Sequence, residues 1–172
     1  QAIEAYKQVV VNYPSSEDRL PALEALKSLY IQSNQPAAYA RLLKDNNLPS
    51  AESSSIDSTY YAAAETQYAN GKVESARDAF ANYLKAYPNG IFAIKAYYYR
   101  AECNFQLKNF KDAKTDYNEI LNGPWNEFSE NSARRSAIIA YEEKDFASAF
   151  DHYRQLGENT TDNQMKELAY NG

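Results

Sequence analysis

The sequence predicts an all-α fold assembled from repeated helical hairpins. Three observations carry that reading. First, an alanine precedes an aromatic residue or leucine by four positions at Ala2–Tyr6, Ala38–Leu42, Ala76–Phe80, Ala113–Tyr117 and Ala149–Tyr153, and successive copies lie 36, 38, 37 and 36 residues apart. Second, a polar turn signal divides each interval. Third, a proline closes it, at Pro14, Pro49, Pro88 and Pro124. Spacings of three or four keep side chains on one helical face. A paired-helix unit of this length cannot bury its apolar stripe alone, so copies stack into a solenoid.

The copies agree beyond the alanine. Ala64, Tyr68, Val73, Ala76 and Phe80 correspond to Ala101, Phe105, Phe110, Ala113 and Tyr117, and again to Ala137, Tyr141, Phe146, Ala149 and Tyr153. The internal steps are 4, 5, 3 and 4 each time. Leu26, Tyr30, Ala38 and Leu42 form a worn copy, with Gln35 where an apolar residue is expected. The step of 5 holds Asn70-Gly71, Lys108-Asn109 or Lys144-Asp145, polar pairs that turn the chain between two helices. Alanine lets the helix backbones approach where they cross, and the aromatic one turn away fills the space beside it.

Taken in order, the pattern predicts a lone second helix over 1–13. Hairpins follow over 16–47, 56–87, 92–122 and 128–157, and a lone first helix begins at 161. Each second helix stops before a proline, which has no N–H to give and disfavours α geometry in the residue ahead of it. Polar residues then open the next unit, Ser15 and Ser16 after Tyr13-Pro14, Asn89 and Gly90 after Tyr87-Pro88. The longest polar connection, Asn46 to Ser58, reads as a loop with Ser58 or Asp57 as N-cap. A domain boundary there would be the one candidate, but the period resumes unchanged. The expectation is one array over 1–172, with units 1–14, 16–49, 56–88, 92–124, 128–157 and 161–172, about four full repeats plus a half repeat at each end. Starting at Gln1 and lacking a polar cap at either end, it reads as a piece of a longer array.

Composition bounds the function. The hydrophobic share is 44% while the mean hydropathy is -0.70, because alanine and 16 tyrosines pack well yet score poorly. No apolar run is long enough to span a membrane. The net charge of -5 and the absence of a lysine-rich block argue against a nucleic-acid partner, Arg134 and Arg135 being the only adjacent arginines. Cys103 is the sole cysteine, so no intrachain disulfide can form. It aligns with Thr66 and Ile139 and reads as a small buried filler. His152 is the sole histidine, and one histidine cannot build a zinc site. No nucleophile elbow, zinc-protease, phosphate-loop or dinucleotide motif occurs. The expectation is no enzyme, no metal and no cofactor.

The repeat resembles the tetratricopeptide family, whose unit carries a turn glycine, an aromatic, a crossing alanine, a second aromatic and a closing proline. Gly71, Val73, Ala76, Phe80 and Pro88 follow that order, and Phe110, Ala113, Tyr117 and Phe146, Ala149, Tyr153 repeat its centre. The family's early tryptophan is replaced by Tyr60, Tyr97 and Ala133. The resemblance implies a right-handed α-α superhelix acting as a scaffold that takes a peptide or protein on its concave face. The matching first-helix stripes are Tyr61, Glu65, Ala69, then Tyr98, Glu102, Gln106, then Arg134, Ile138, Glu142. Tyr61, Glu65, Tyr98, Glu102, Gln106, Arg134 and Glu142 are the candidate partner-binding residues. Self-association through Met165, Leu168 and Tyr170, a spacer role in a larger protein, and an accessory role to an external enzyme stay open. The Tyr-Pro closure and the long period are similar to tetratricopeptide proteins of the bacterial cell envelope, which implies that compartment.

Overall fold

Four of the five positive-φ residues among those described, all but Asn47, punctuate the chain at constant intervals. They are Asn34, Gly71, Lys108 and Lys144, with φ of 54°, 69°, 60° and 61°, in steps of 37, 37 and 36 residues. Each follows a first helix and lets the next N–H turn back onto the carbonyl five residues earlier. These bonds run from Gln35 to Tyr30 (2.8 Å), Lys72 to Gln67 (3.0 Å), Asn109 to Asn104 (2.8 Å) and Asp145 to Ala140 (2.9 Å). Such a left-handed cap satisfies carbonyls that the helix end leaves orphaned. Glycine adopts it without strain only at Gly71. The two lysines hold it at a cost of about 1 kcal/mol each.

A computed structural model describes residues 1–48 and 53–171. Ten helices occupy them: α1 (Ala2–Asn12), α2 (Arg19–Gln32), α3 (Pro36–Asp45), α4 (Ser53–Ala69), α5 (Val73–Ala86), α6 (Ala93–Gln106), α7 (Phe110–Leu121), α8 (Ser129–Glu142), α9 (Phe146–Asn159) and α10 (Asn163–Asn171). The described chain holds no strand. Order and pairing follow the expected hairpins, so the fold is an all-α helical repeat. Contacts separate two compact units, Gln1–Phe92 and Ala93–Gly172. In the first, α1 packs on α2, α2 on α3 and α4, and α4 on α5. In the second, each helix from α6 to α10 packs on the next.

The helix starts correct the alignment of the worn copy. Pro36 sits at the first position of α3, where its fixed φ is preorganised. It therefore matches Val73, Phe110 and Phe146, the first residues of α5, α7 and α9. Tyr39, not Ala38, then stands at the crossing position of Ala76, Ala113 and Ala149, and Leu43, not Leu42, matches Phe80. Burial agrees: Tyr39 and Leu43 are buried, while Ala38 and Leu42 are half-buried. Ala2 lies exposed on α1 and crosses nothing. The expected N-caps fail as well. Asp57 and Ser58 lie inside α4, which begins at Ser53, and Pro49 and the middle of that connection fall outside the described residues.

Unit 1 closes its core with large side chains. Val10, Leu23, Leu26, Tyr30, Tyr39, Leu43 and Leu48 form one buried cluster. In the α4–α5 hairpin the Tyr61 ring stacks on Phe92 at 4.5 Å and meets Phe80 and Tyr83 edge-on or tilted at 5.9 and 5.8 Å. The Tyr83 hydroxyl accepts a bond from the Phe92 N–H (3.1 Å), which straps the Tyr-Pro-Asn-Gly connection onto α5. Gly90 passes so close that a Cβ there would strike the Tyr83 hydroxyl and lie 2.8 Å from an Asp57 carboxylate oxygen. Unit 2 is built differently. Ala101, Ala113, Tyr117, Ile120 and Ile139 form its apolar cluster, and Ser129, Ser132 and Ser136 are buried along α8.

A polar network on the first helices of unit 2

Helical spacing brings three of the expected residues together in unit 2. Tyr98 and Glu102 are one turn apart on α6, and Arg134 lies on α8. Asn131, one turn before Arg134, joins them. Its amide donates to the Tyr98 hydroxyl (2.7 Å) and to Glu102 (3.3 Å), and its carbonyl accepts from Arg134 (2.6 Å). Phe128 packs against the Tyr98 ring at 4.8 Å and fixes its orientation.

Glu102 is no free groove carboxylate. It is buried, and Arg135 donates to both its oxygens, Nε to Oε1 at 3.2 Å and Nη2 to Oε2 at 3.1 Å. With the Asn131 bond already described, the Tyr117 hydroxyl of α7 adds a fourth at 2.5 Å. The Arg135 guanidinium also lies 4.1 Å over the Phe105 ring. Burial of one charge demands a partner with good geometry, and the forked guanidinium supplies it. Burial and the Glu102 charge push the Tyr98 and Tyr117 hydroxyls above the usual tyrosine range, so both stay protonated at neutral pH.

The remaining candidates sit elsewhere. Tyr61 is 4% exposed, a core residue of unit 1 rather than a groove residue, and its hydroxyl donates to the exposed Glu65 at 3.2 Å. Its position on α4 faces the α5 aromatics, so packing claims the ring. Gln106 and Glu142 are exposed at the last turns of α6 and α8, outside the network. Sequence reasoning missed Asn131, Arg135 and Tyr117. The one available signal was spacing: Asn131 and Arg135 follow Tyr98 and Glu102 by 33 residues, one repeat less one helical turn.

A second ion pair crosses α6 and α7. Arg100 grips Asp116 with Nε–Oδ2 at 2.8 Å and Nη2–Oδ1 at 2.6 Å, and its guanidinium lies 5.6 Å from the Tyr97 ring centre. Burial outweighs the arginine and raises the Asp116 carboxyl above its ordinary range. Cys103 is fully buried, as a filler should be, and His152 is half-buried on α9. At the last helix Leu168 and Tyr170 are 38% and 81% exposed, while Met165 is half-buried.

Among the described residues no three histidine, cysteine or acidic side chains gather as a metal site would require, and no helix is long and apolar enough to cross a membrane. Residues 58–90 and 95–122 match the family model described as tetratricopeptide repeat. The crystal structure of BtubC (BKLC) from P. vanneervenii is similar over 95% of this chain and 72% of that one, with a TM-score of 0.54 at 14% identity, a likeness of fold alone. No curated protein matches the sequence.

Proposed function

Because the chain carries tetratricopeptide repeats, units that generally mediate protein–protein interaction, we propose that it is a non-enzymatic scaffold whose unit 2 first-helix surface receives a peptide or protein segment. One observation carries the reading: Tyr98 and Arg134 are half-exposed and held in place through Asn131, while the charge behind them is already neutralised. A partner then meets a tyrosine and an arginine at little cost in side-chain ordering. These residue types dominate binding hot spots, and preorganisation is what lets them do so. The buried Glu102–Arg135 pair acts as the fixed floor, and Gln106 and Glu142 extend the surface at its rim.

The test is retention of partners from the source cell on the immobilised chain, against the Tyr98→Ala, Arg134→Ala double variant. The expected result is loss of a retained protein by about tenfold or more, with unchanged far-ultraviolet circular dichroism. Retention of the same set by the variant would remove the surface from consideration. The compartment of the retained partner also tests the envelope reading, which rests on the Tyr-Pro closure and period alone; a partner from outside the envelope would end it.

A further inference from the structure

Each unit leaves one helix face of the repeat uncovered among the described residues. In unit 1 the face belongs to α1. Aligned on Tyr13-Pro14 and Tyr87-Pro88, α1 repeats α5: Ala2, Tyr6, Val9 and Val10 fall on Ala76, Phe80, Tyr83 and Leu84. Val10 and Leu84 are both buried, so the register holds. In α5, Ala76, Phe80 and Tyr83 are buried, and the two rings pack against Tyr61 and Tyr68 of the first helix α4. In α1 the matching Ala2 and Tyr6 are exposed, and Tyr13 is 63% exposed. The α1 helix thus carries the crossing face of a second helix with no first helix on it.

In unit 2 the uncovered face is a cleft between α9 and α10. The first helix α4 packs on α3 before it and on α5 after it. The first helix α10 packs on α9, and among the described residues no second helix lies on it. The cleft encloses about 550 Å³ and is lined by Phe150, Tyr153, Gly157, Ala169 and Tyr170. Phe150 is 66% exposed. Its equivalents in α1, α3, α5 and α7 are Ile3, Ala40, Arg77 and Lys114, so α9 alone places an aromatic there and the fold does not require one. Tyr170 continues the series Tyr61, Tyr98, Arg134 at steps of 37, 36 and 36. Within one chain Tyr61 meets Phe80 at 5.9 Å, and Phe80 is the equivalent of Tyr6. The hairpin contact that the chain already makes is therefore the contact these two faces would make with each other. We infer that α1 of a second copy of this chain seats in the α9–α10 cleft, with Tyr6 against Tyr170, and completes with α10 the hairpin that α4 and α5 form. The contact is heterologous: different faces meet. A helix of 11 residues makes a small interface, below the roughly 1,200 Å² of stable complexes, so the association is weak.

A weak contact is populated only near its Kd, so the full chain is sedimented from about 10 µM to about 1 mM. Tyr6→Lys with Tyr13→Lys spoils the α1 face. Phe150→Arg or Phe150→Lys, the residue types of α5 and α7, spoils the cleft. All three positions are exposed, and far-ultraviolet circular dichroism should match the native chain. The native mass should rise with concentration above the 19.5 kDa of one copy. Each variant alone should associate about tenfold or more weakly. An equal mixture of the two keeps one intact α1 face and one intact cleft, so it should pair and stop at two chains. Ile91→Lys, at an exposed apolar residue on none of these helices, should change nothing. A native chain that keeps the mass of one copy throughout overturns the inference and assigns both faces to other segments or proteins. It also falls if either variant associates like the native chain, if the mixture stays as single chains, or if Ile91→Lys weakens association equally. None of these variants touches Tyr98, Asn131 or Arg134, so the unit 2 reading above stands or falls separately.

Discussion

Unit 1 and unit 2 use the same hairpin and fill it with opposite chemistry. Leucines and aromatics close unit 1, from Leu26, Tyr39 and Leu43 to Tyr61, Phe80 and Tyr83. Unit 2 buries alanines and serines at comparable places and bridges its helices with Arg100–Asp116 and Arg135–Glu102. The difference is one of specificity as much as stability. Apolar bulk tolerates sliding and repacking, and volume-conserving exchanges usually cost under about 1.5 kcal/mol. A buried ion pair is seldom more stabilising than apolar residues of the same shape, but it is satisfied in one register only. In unit 2 the two ion pairs are thus satisfied in one register of α6 against α7 and α8.

The comparison breaks most sharply at Arg100→Met. It leaves the Asp116 carboxylate, 2% exposed in its side chain, without a partner. The expected loss is about 3–5 kcal/mol in chemical unfolding. Arg100→Met with Asp116→Leu should recover most of it. Failure of the double variant to recover would mean that the pair is worth more than apolar fill.

In unit 1 the sensitive point is steric. Gly90→Ala drives a methyl into the Tyr83 hydroxyl strap and should lower stability by about 1–3 kcal/mol. Pairing it with Tyr83→Phe, which clears the hydroxyl, should recover part of the loss. A neutral Gly90→Ala would show that the connection is not strapped in solution.

A smaller change, of opposite sign, is expected at the turns. Lys144→Gly relieves a left-handed lysine and should stabilise by at most about 0.5 kcal/mol after the entropy of glycine is counted. Gly71→Ala at the equivalent turn should destabilise, and equal effects at the two sites would refute the turn geometry.

The smallest effect is in pH. Burial, then Lys114, lowers the His152 imidazole below its usual value, with Asp151 and Asp145 opposing. A lowered folded pKa contributes stability that is whole above the unfolded value near about 6.5 and fades as pH falls below it toward the folded one. His152→Gln should flatten the melting temperature over that window relative to the native chain. An unchanged slope would mean that the imidazole is solvated.

Periodicity alone determined the helical class, the ten helices in order and the alanine crossings at Ala76, Ala113 and Ala149, because the three-to-four spacing and the proline stops are local and act before any packing. It also put Tyr98 and Glu102 on one helical face and Arg134 at the matching place of another helix, while a surface shared by the two helices was only what the family resemblance implied. Register in the worn copy was not legible: Ala38–Leu42 imitates the motif, and only Pro36 fixing the start of α3 moves the crossing to Tyr39. Nor was the split between exposed and buried tyrosines. Tyr61 and Tyr98 occupy matching positions, yet Phe92 and Tyr83 enclose the first, while Asn131 holds the second half-open. Glu102 reads as a partner-binding carboxylate in the chain and becomes half of a buried pair with Arg135 in the fold. Local sequence sets which face a residue lies on. Whether that face meets water, a ring or an opposite charge depends on side chains about one repeat away, and only tertiary packing brings those together.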